Sequence, residues 1–231
     1  MIPRDFPLNQ TDAVRGGLAP YTGVSSAQQL RTVVVHAAEF VLVSVAVLVA
    51  PLMVYLDILY FGGDIGDRTL TEITQSLLLV AAVVMFALRA RALPAQRGFL
   101  VLVAGFFLCM LIREQDGWLD NVRHGFWLPL ALAVAVLAIG YAARYARHSV
   151  LPPMARFIGS HGYYYVFFGL VILLVFSRVF GSGNLLWESL MAESYEGRFK
   201  NAIQEGLELL GYILIFLGAV SFFRSNRPAQ R

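Results

Sequence analysis

One cysteine, Cys109, and one lysine, Lys200, stand in a chain of 231 residues. A lone cysteine excludes a disulfide framework within the chain and a cysteine-built metal centre. The lysine falls near the start of the last apolar run, so no span offers an amine for a covalent retinal. Charge is also scarce: 14% of residues are charged, against about 25% in an ordinary soluble domain. No glycine-rich phosphate loop, His-Glu-x-x-His pair or haem-attachment pattern occurs. With 18 basic and 15 acidic residues, the formal net charge of +3 is too small and too dispersed for a nucleic-acid module. Four histidines, His36, His124, His148 and His161, could build a multi-histidine metal site only by converging from distant segments.

Apolar residues are abundant. They make up 58% of the chain, and the mean hydropathy is +0.66. Apolar runs occur at 33–60, 70–88, 98–117, 125–143, 162–180 and 205–223. A helix needs roughly 20 residues to cross the hydrocarbon core, and only helices or closed barrels satisfy their backbone in lipid. Because the runs are continuous and not alternating, the expected fold is all-α, a polytopic integral membrane protein with six transmembrane helices. Residues 1–32 and 224–231 read as cytoplasmic tails around a single membrane domain, 33–223. Pro51 is a candidate kink in the first span, and Pro152-Pro153 is expected to interrupt an inner loop. Leu186, Trp187, Leu190, Met191 and Tyr195 recur at helical spacing, so 184–196 is a candidate outer interfacial helix.

Charge gives the expected orientation. Arg4, Arg15, Arg31, Arg89, Arg91, Arg97, Arg144, Arg147, Arg156, Arg224, Arg227 and Arg231 fall on one side, 12 of the 18 basic residues. The positive-inside rule places both termini in the cytoplasm. Trp118, Trp127 and Trp187 then lie at the opposite interface, where an amphipathic indole is well placed. The expected location is a bacterial-type inner membrane.

Several runs are too short unless flanking charges enter the bilayer. The second span must reach outward through Gln75 to Glu72, and the third through Arg113 and Glu114. The fifth needs Arg178, and the sixth Glu208 and Glu205. At about 1.5 Å per residue, the distances Arg89–Glu72, Arg97–Arg113, His161–Arg178 and Arg224–Glu208 come to about 24–25 Å each. Four helices thus carry charge into one thin outer layer. Charges at that depth are expensive unless they pair, neutralise or face water, so they are expected to converge.

Glu72, Glu114, Asp116, Glu205 and Glu208 are the candidate cation- or proton-binding residues. Arg113 and Arg178 are candidates for charge pairing or for binding an anionic group. An oxygen-rich set with His124 would suit a hard divalent metal ion, held by Glu72, Glu114, His124, Glu205 and Glu208. The expected function is a cation-binding or proton-exchanging cavity in a small transporter component or accessory subunit. One alternative is a metal-assisted membrane hydrolase with His124 or Glu114 as general base. The other is an assembly subunit whose charges only hold helices together, the commonest use of such pairs. Expected partners are membrane lipids and a membrane protein or second copy, with no nucleic acid. His36 and Glu39, three residues apart, read as a local helix-start pair.

Overall fold

A computed structural model describes residues 25–61, 69–191 and 197–225. Among the described residues every regular element is helical. The main helices are α1 (Ser26–Phe61), α2 (Leu70–Ala92), α3 (Arg97–Glu114), α4 (Trp127–Tyr145), the short α5 (Leu151–Ile158), α6 (His161–Phe180) and α7 (Gly197–Ser225). Six of them, all but α5, are long and apolar enough to cross a membrane.

Two compact units divide the chain, residues 1–42 and 43–231. The described part of the first is the start of α1. There the Ser25 hydroxyl accepts from the Gln28 N–H at 3.3 Å, so the helix begins at Ser26, ahead of the apolar run. The next turns carry side-chain bonds to backbone, Thr32 Oγ1 to Gln28 O at 3.0 Å and His36 Nδ1 with Thr32 O at 2.8 Å. The rest of the proposed N-terminal tail, 1–24, lies outside the described residues, as do 226–231 of the C-terminal tail.

In the second unit α7 is the most buried span, more than half of its apolar stretch being covered. It packs on α6 in antiparallel fashion through glycine. A Cβ at Gly218 would stand 2.6 Å from Gly162 O, and one at Gly169 would stand 2.7 Å from Gly211 O. Lipid supplies no hydrophobic drive between helices, so close backbone approach over small residues is how such pairs gain contact. On its other side α7 meets α2, whose buried residues Thr71, Gln75, Leu79, Ala82, Phe86 and Ala90 repeat at intervals of three or four. That stripe is apolar at one end and polar at the other. The α1 segment from residue 43 onward closes a smaller cluster, Ala50 with Leu209 and Ile213.

Chain direction sorts the charges. The end built from the α2 C-terminus, the α3 N-terminus, the α4 C-terminus and the α7 C-terminus holds Arg89, Arg91, Arg97, Arg144 and Arg147. There Phe86, Phe107 and Phe223 pack at 5.5 and 4.7 Å, and Phe99, Phe157 and Phe222 form a second aromatic group. Ser149 joins α3 to the end of α4: its hydroxyl accepts from Gly98 N at 2.8 Å and donates to Ala146 O at 2.8 Å. The opposite end carries the acids.

Three boundaries differ from the hydropathy reading. α7 starts at Gly197, eight residues before its apolar run, because a polar turn can be helical once the apolar turns behind it are packed. Pro152 and Pro153 sit in the first turn of α5, where a missing N–H costs no helix bond. α1 starts at Ser26, ahead of its apolar run at 33, and is helical on both sides of Pro51. The proposed interfacial segment is helical over Gly183–Trp187 and Glu188–Met191, and the Trp187 indole donates to Phe180 O at 2.6 Å. Its remainder, with Glu193, Tyr195 and Glu196, lies outside the described residues.

Candidate functional site

The acidic end is built first from the start of α2. Thr69 caps the helix, its hydroxyl accepting from Glu72 N at 3.2 Å. Asp57, near the end of α1 and only 1% exposed, provides a stronger cap. Its carboxylate accepts from Leu70 N at 2.7 Å, Thr71 N at 3.0 Å and the Thr71 hydroxyl. The first N–H groups of a helix have no partner within it, and a carboxylate there also meets the positive end of the helix dipole. With the cap in place, Glu72 and Gln75 project toward α7, and the buried Gln75 amide donates to Glu205 O at 3.2 Å.

α3 ends in the neighbouring pair Arg113 and Glu114. Arg113 Nη1 lies 3.0 Å from Glu114 Oε1, and the same oxygen accepts from the Tyr212 hydroxyl of α7 at 2.7 Å. Just beyond, Gln115 donates to the Ser76 hydroxyl of α2 at 2.8 Å. Three helices are thereby fastened at one level.

α6 reaches the same level through a local irregularity. Residues Ile172–Phe176 form a π turn, the kind of wide turn that recurs where a helix must re-aim side chains. Immediately after it come Ser177 and Arg178, and both meet Glu208 of α7. Arg178 Nη2 lies 3.3 Å from Glu208 Oε1. The fully buried Ser177 hydroxyl lies 3.2 Å from the same oxygen and 2.8 Å from Leu173 O, so one proton has two acceptors. Gln204, one turn before Glu208, donates to it at 3.1 Å.

Between α2, the end of α3 and α7 these groups enclose a cavity of about 160 Å³. The residues named along its walls all carry polar or charged groups. α2 supplies Glu72 and Gln75; α3 and the following turn supply Arg113, Glu114 and Asp116; α7 supplies Asn201, Gln204, Glu205 and Glu208. Five carboxyl groups therefore face one guanidinium in the lining. Glu72, Asp57 and Glu208 act on Glu205 as like charges. Arg113 is attracted by Glu114, Glu208 and Asp116 together. Crowded carboxylates of this kind favour a bound cation or a retained proton.

All five candidate cation- or proton-binding residues, Glu72, Glu114, Asp116, Glu205 and Glu208, thus share one cavity. Arg113 lines it, and Arg178 reaches it through Glu208. His124 does not join them. The helix after α3 lasts only for Asp116–Leu119, and the chain then turns, with Gly125 at a φ of 76°. This leaves the His124 side chain 98% exposed, bonded to Asp120 at 2.9 Å. Among the described residues no three His, Cys, Asp or Glu side chains are grouped to hold a metal ion. The mixed oxygen–imidazole set around His124 is consequently not assembled.

Asn201, Gln204 and Ser177 were not among the expected site residues, and Asp57, near the outer end of the first span, was expected to join the charged layer only if that span tilts strongly. Asn201, Gln204 and Glu208 recur at helical spacing, a signal present in the chain. The roles of Asp57 and Ser177 depend on a cap between helices and on a π turn, neither of which hydropathy reports. No protein-family model, curated protein or solved structure gives a significant match to this chain.

Proposed function

We propose that the chain is a multi-pass membrane protein whose acidic cavity takes up a cation or exchanges protons, as a small transporter component or an accessory subunit. The carrying observation is the lining itself: among the described residues, five carboxyl groups from α2, α3 with its following turn, and α7 meet two guanidinium groups, Arg113 in the lining and Arg178 on Glu208. In a bundle of apolar helices such an excess of acid is costly unless positive charge or protons offset it. The arginine distribution supports both termini in the cytoplasm of a bacterial-type inner membrane, with the cavity at the outer end. A water-activating role for His124 is not supported, because its ring stands in an exposed turn away from these carboxylates.

Proteoliposomes test the reading directly. Flux would be followed with an internal pH dye under an imposed proton gradient and, separately, with calcium or sodium indicators under a cation gradient. The wild-type protein should carry one of these ions, and Glu72→Gln/Glu205→Gln should slow it at least about tenfold, the scale of one lost ion-pair interaction. Absence of flux together with absence of calorimetric binding of calcium, magnesium and manganese would overturn the proposal.

A specific observation favours a second reading, assembly. Glu114–Tyr212 ties α3 to α7, and Arg178–Glu208 ties α6 to α7. If these bonds are the whole purpose of the charges, Tyr212→Phe and Arg178→Gln will lower thermal stability in lipid while wild-type vesicles carry no ion.

A further inference from the structure

The opposite, arginine-rich end carries a second construction. α2 and α4 both pack on α3 from different sides, and between them runs a trench of about 790 Å³. Small residues line part of it, Ala87 and Ala90 of α2, Ala104 and Gly105 of α3, and Ala138 of α4, beside the larger Val83, Val101 and Leu137. Leu108 and Val134 continue the apolar surface toward the middle of the helices. The volume falls within the roughly 300–1,000 Å³ of ordinary ligand sites.

At its arginine-rich end the trench opens into a polar mouth of similar size, about 790 Å³, and Arg97 and Tyr141 line both spaces. Arg97 is fixed at the junction, its Nε donating to Ala90 O at 3.0 Å and a terminal nitrogen to Arg91 O at 3.4 Å. Arg91 lines the trench and Arg144 and Arg147 line the mouth, whereas among the described residues no acid lines either. The Arg144 guanidinium lies 5.4 Å from the centre of the Tyr145 ring. A ligand matching this must be apolar along its length and anionic at one end, with the anion at the level of helix termini. A basic cluster at that level attracts anionic headgroups.

We infer that the trench and its mouth form a binding site for one anionic phospholipid, an acyl chain lying between α2 and α4 and the phosphate held by Arg97, Arg144 and Arg147. This site is independent of the acidic cavity, which stands at the other end of the same helices.

Native mass spectrometry of the full chain, released from a neutral detergent and titrated with defined lipids, tests it. Dioleoyl phosphatidylglycerol should be retained at least about tenfold better than dioleoyl phosphatidylcholine, the scale of one charge-assisted contact. Arg144→Gln/Arg147→Gln, which alters only exposed side chains, should abolish that preference while leaving phosphatidylcholine retention unchanged. Ala104→Phe, which fills the trench, should reduce retention of both lipids. Equal retention of the two lipids by the wild type would overturn the inference. So would an unchanged preference in the double variant, or binding of dihexanoyl phosphatidylglycerol as tight as that of the dioleoyl lipid, which would leave the trench without a role.

Discussion

Asp57 shows how much one side chain can carry when it stands where two helices meet. Its two oxygens serve three donors on α2, and it is buried. Hydrogen bonds to a charged acceptor contribute about 1.5–3 kcal/mol each, and the position at a helix start adds dipole stabilisation. Asp57→Asn keeps the shape but turns an acceptor into an amide donor facing an N–H and a hydroxyl. The expected loss is about 2 kcal/mol, read as a lower unfolding temperature in detergent or lipid. Thr71→Val, which removes one donor and leaves the backbone bonds, should cost about half as much. An Asp57→Asn protein as stable as wild type would show that water takes over the cap. The sequence marks Asp57 only as an acid near the end of a long span. Its partners, Leu70 and Thr71, lie 13 and 14 residues on, and no periodicity within a helix encodes that meeting.

Between helices, the α6–α7 contact is set by four glycines. The spacing of seven between Gly211 and Gly218 is visible in the chain, but their counterparts Gly162 and Gly169 acquire meaning only when the two helices run antiparallel in register. At Gly218 an added Cβ would lie 2.6 Å from Gly162 O and 2.6 Å from a Val166 methyl. Backbone cannot give way there without parting the helices. Gly218→Ala should therefore destabilise by about 1–3 kcal/mol, the usual cost of overpacking. Gly140 of α4 is the matched control, since a Cβ there meets nothing within 4 Å. Gly140→Ala should leave stability unchanged or raise it by up to about 1 kcal/mol through helix propensity. Unfolding curves of the two variants, recorded in the same lipid, should move apart; coincident curves would remove the glycine contact as a determinant. The spans themselves are legible because length and apolarity are properties of each run alone. Their ends are less so: Gly197–Gln204 is polar yet helical, since capping and packing, and not hydropathy, decide where a helix starts.

At the scale of the whole molecule, charge is sorted by end. The depth arithmetic brings Glu72, Arg113, Glu114, Arg178, Glu205 and Glu208 to one level because helical rise is fixed. Which way each side points around its helix is not fixed by rise, and the π turn before Ser177 changes it. The level was therefore readable and the contacts were not; His124, placed by a turn instead of a helix, left the group altogether. Sorting of this kind makes a prediction about the membrane. Exposed Val122 lies in the turn beyond the acidic end, and exposed Tyr145 lies at the close of α4 beside the arginines. Cys109 would first be replaced by serine, which keeps a donor toward Ala131 O, now 3.3 Å from its sulfur. In that background, Val122→Cys in intact cells should react with a membrane-impermeant maleimide, and Tyr145→Cys should react only after lysis. The arginine excess requires this order, because basic loops are retained on the cytoplasmic side while acids contribute little to orientation. Labelling of both cysteines from outside would mean that the helices do not cross the bilayer between them, and the reverse order would place the acidic cavity in the cytoplasm. Either result would remove the outward-facing cavity, whereas the pairing of Glu114 with Tyr212 and of Glu208 with Arg178 would stand as contacts within the bundle.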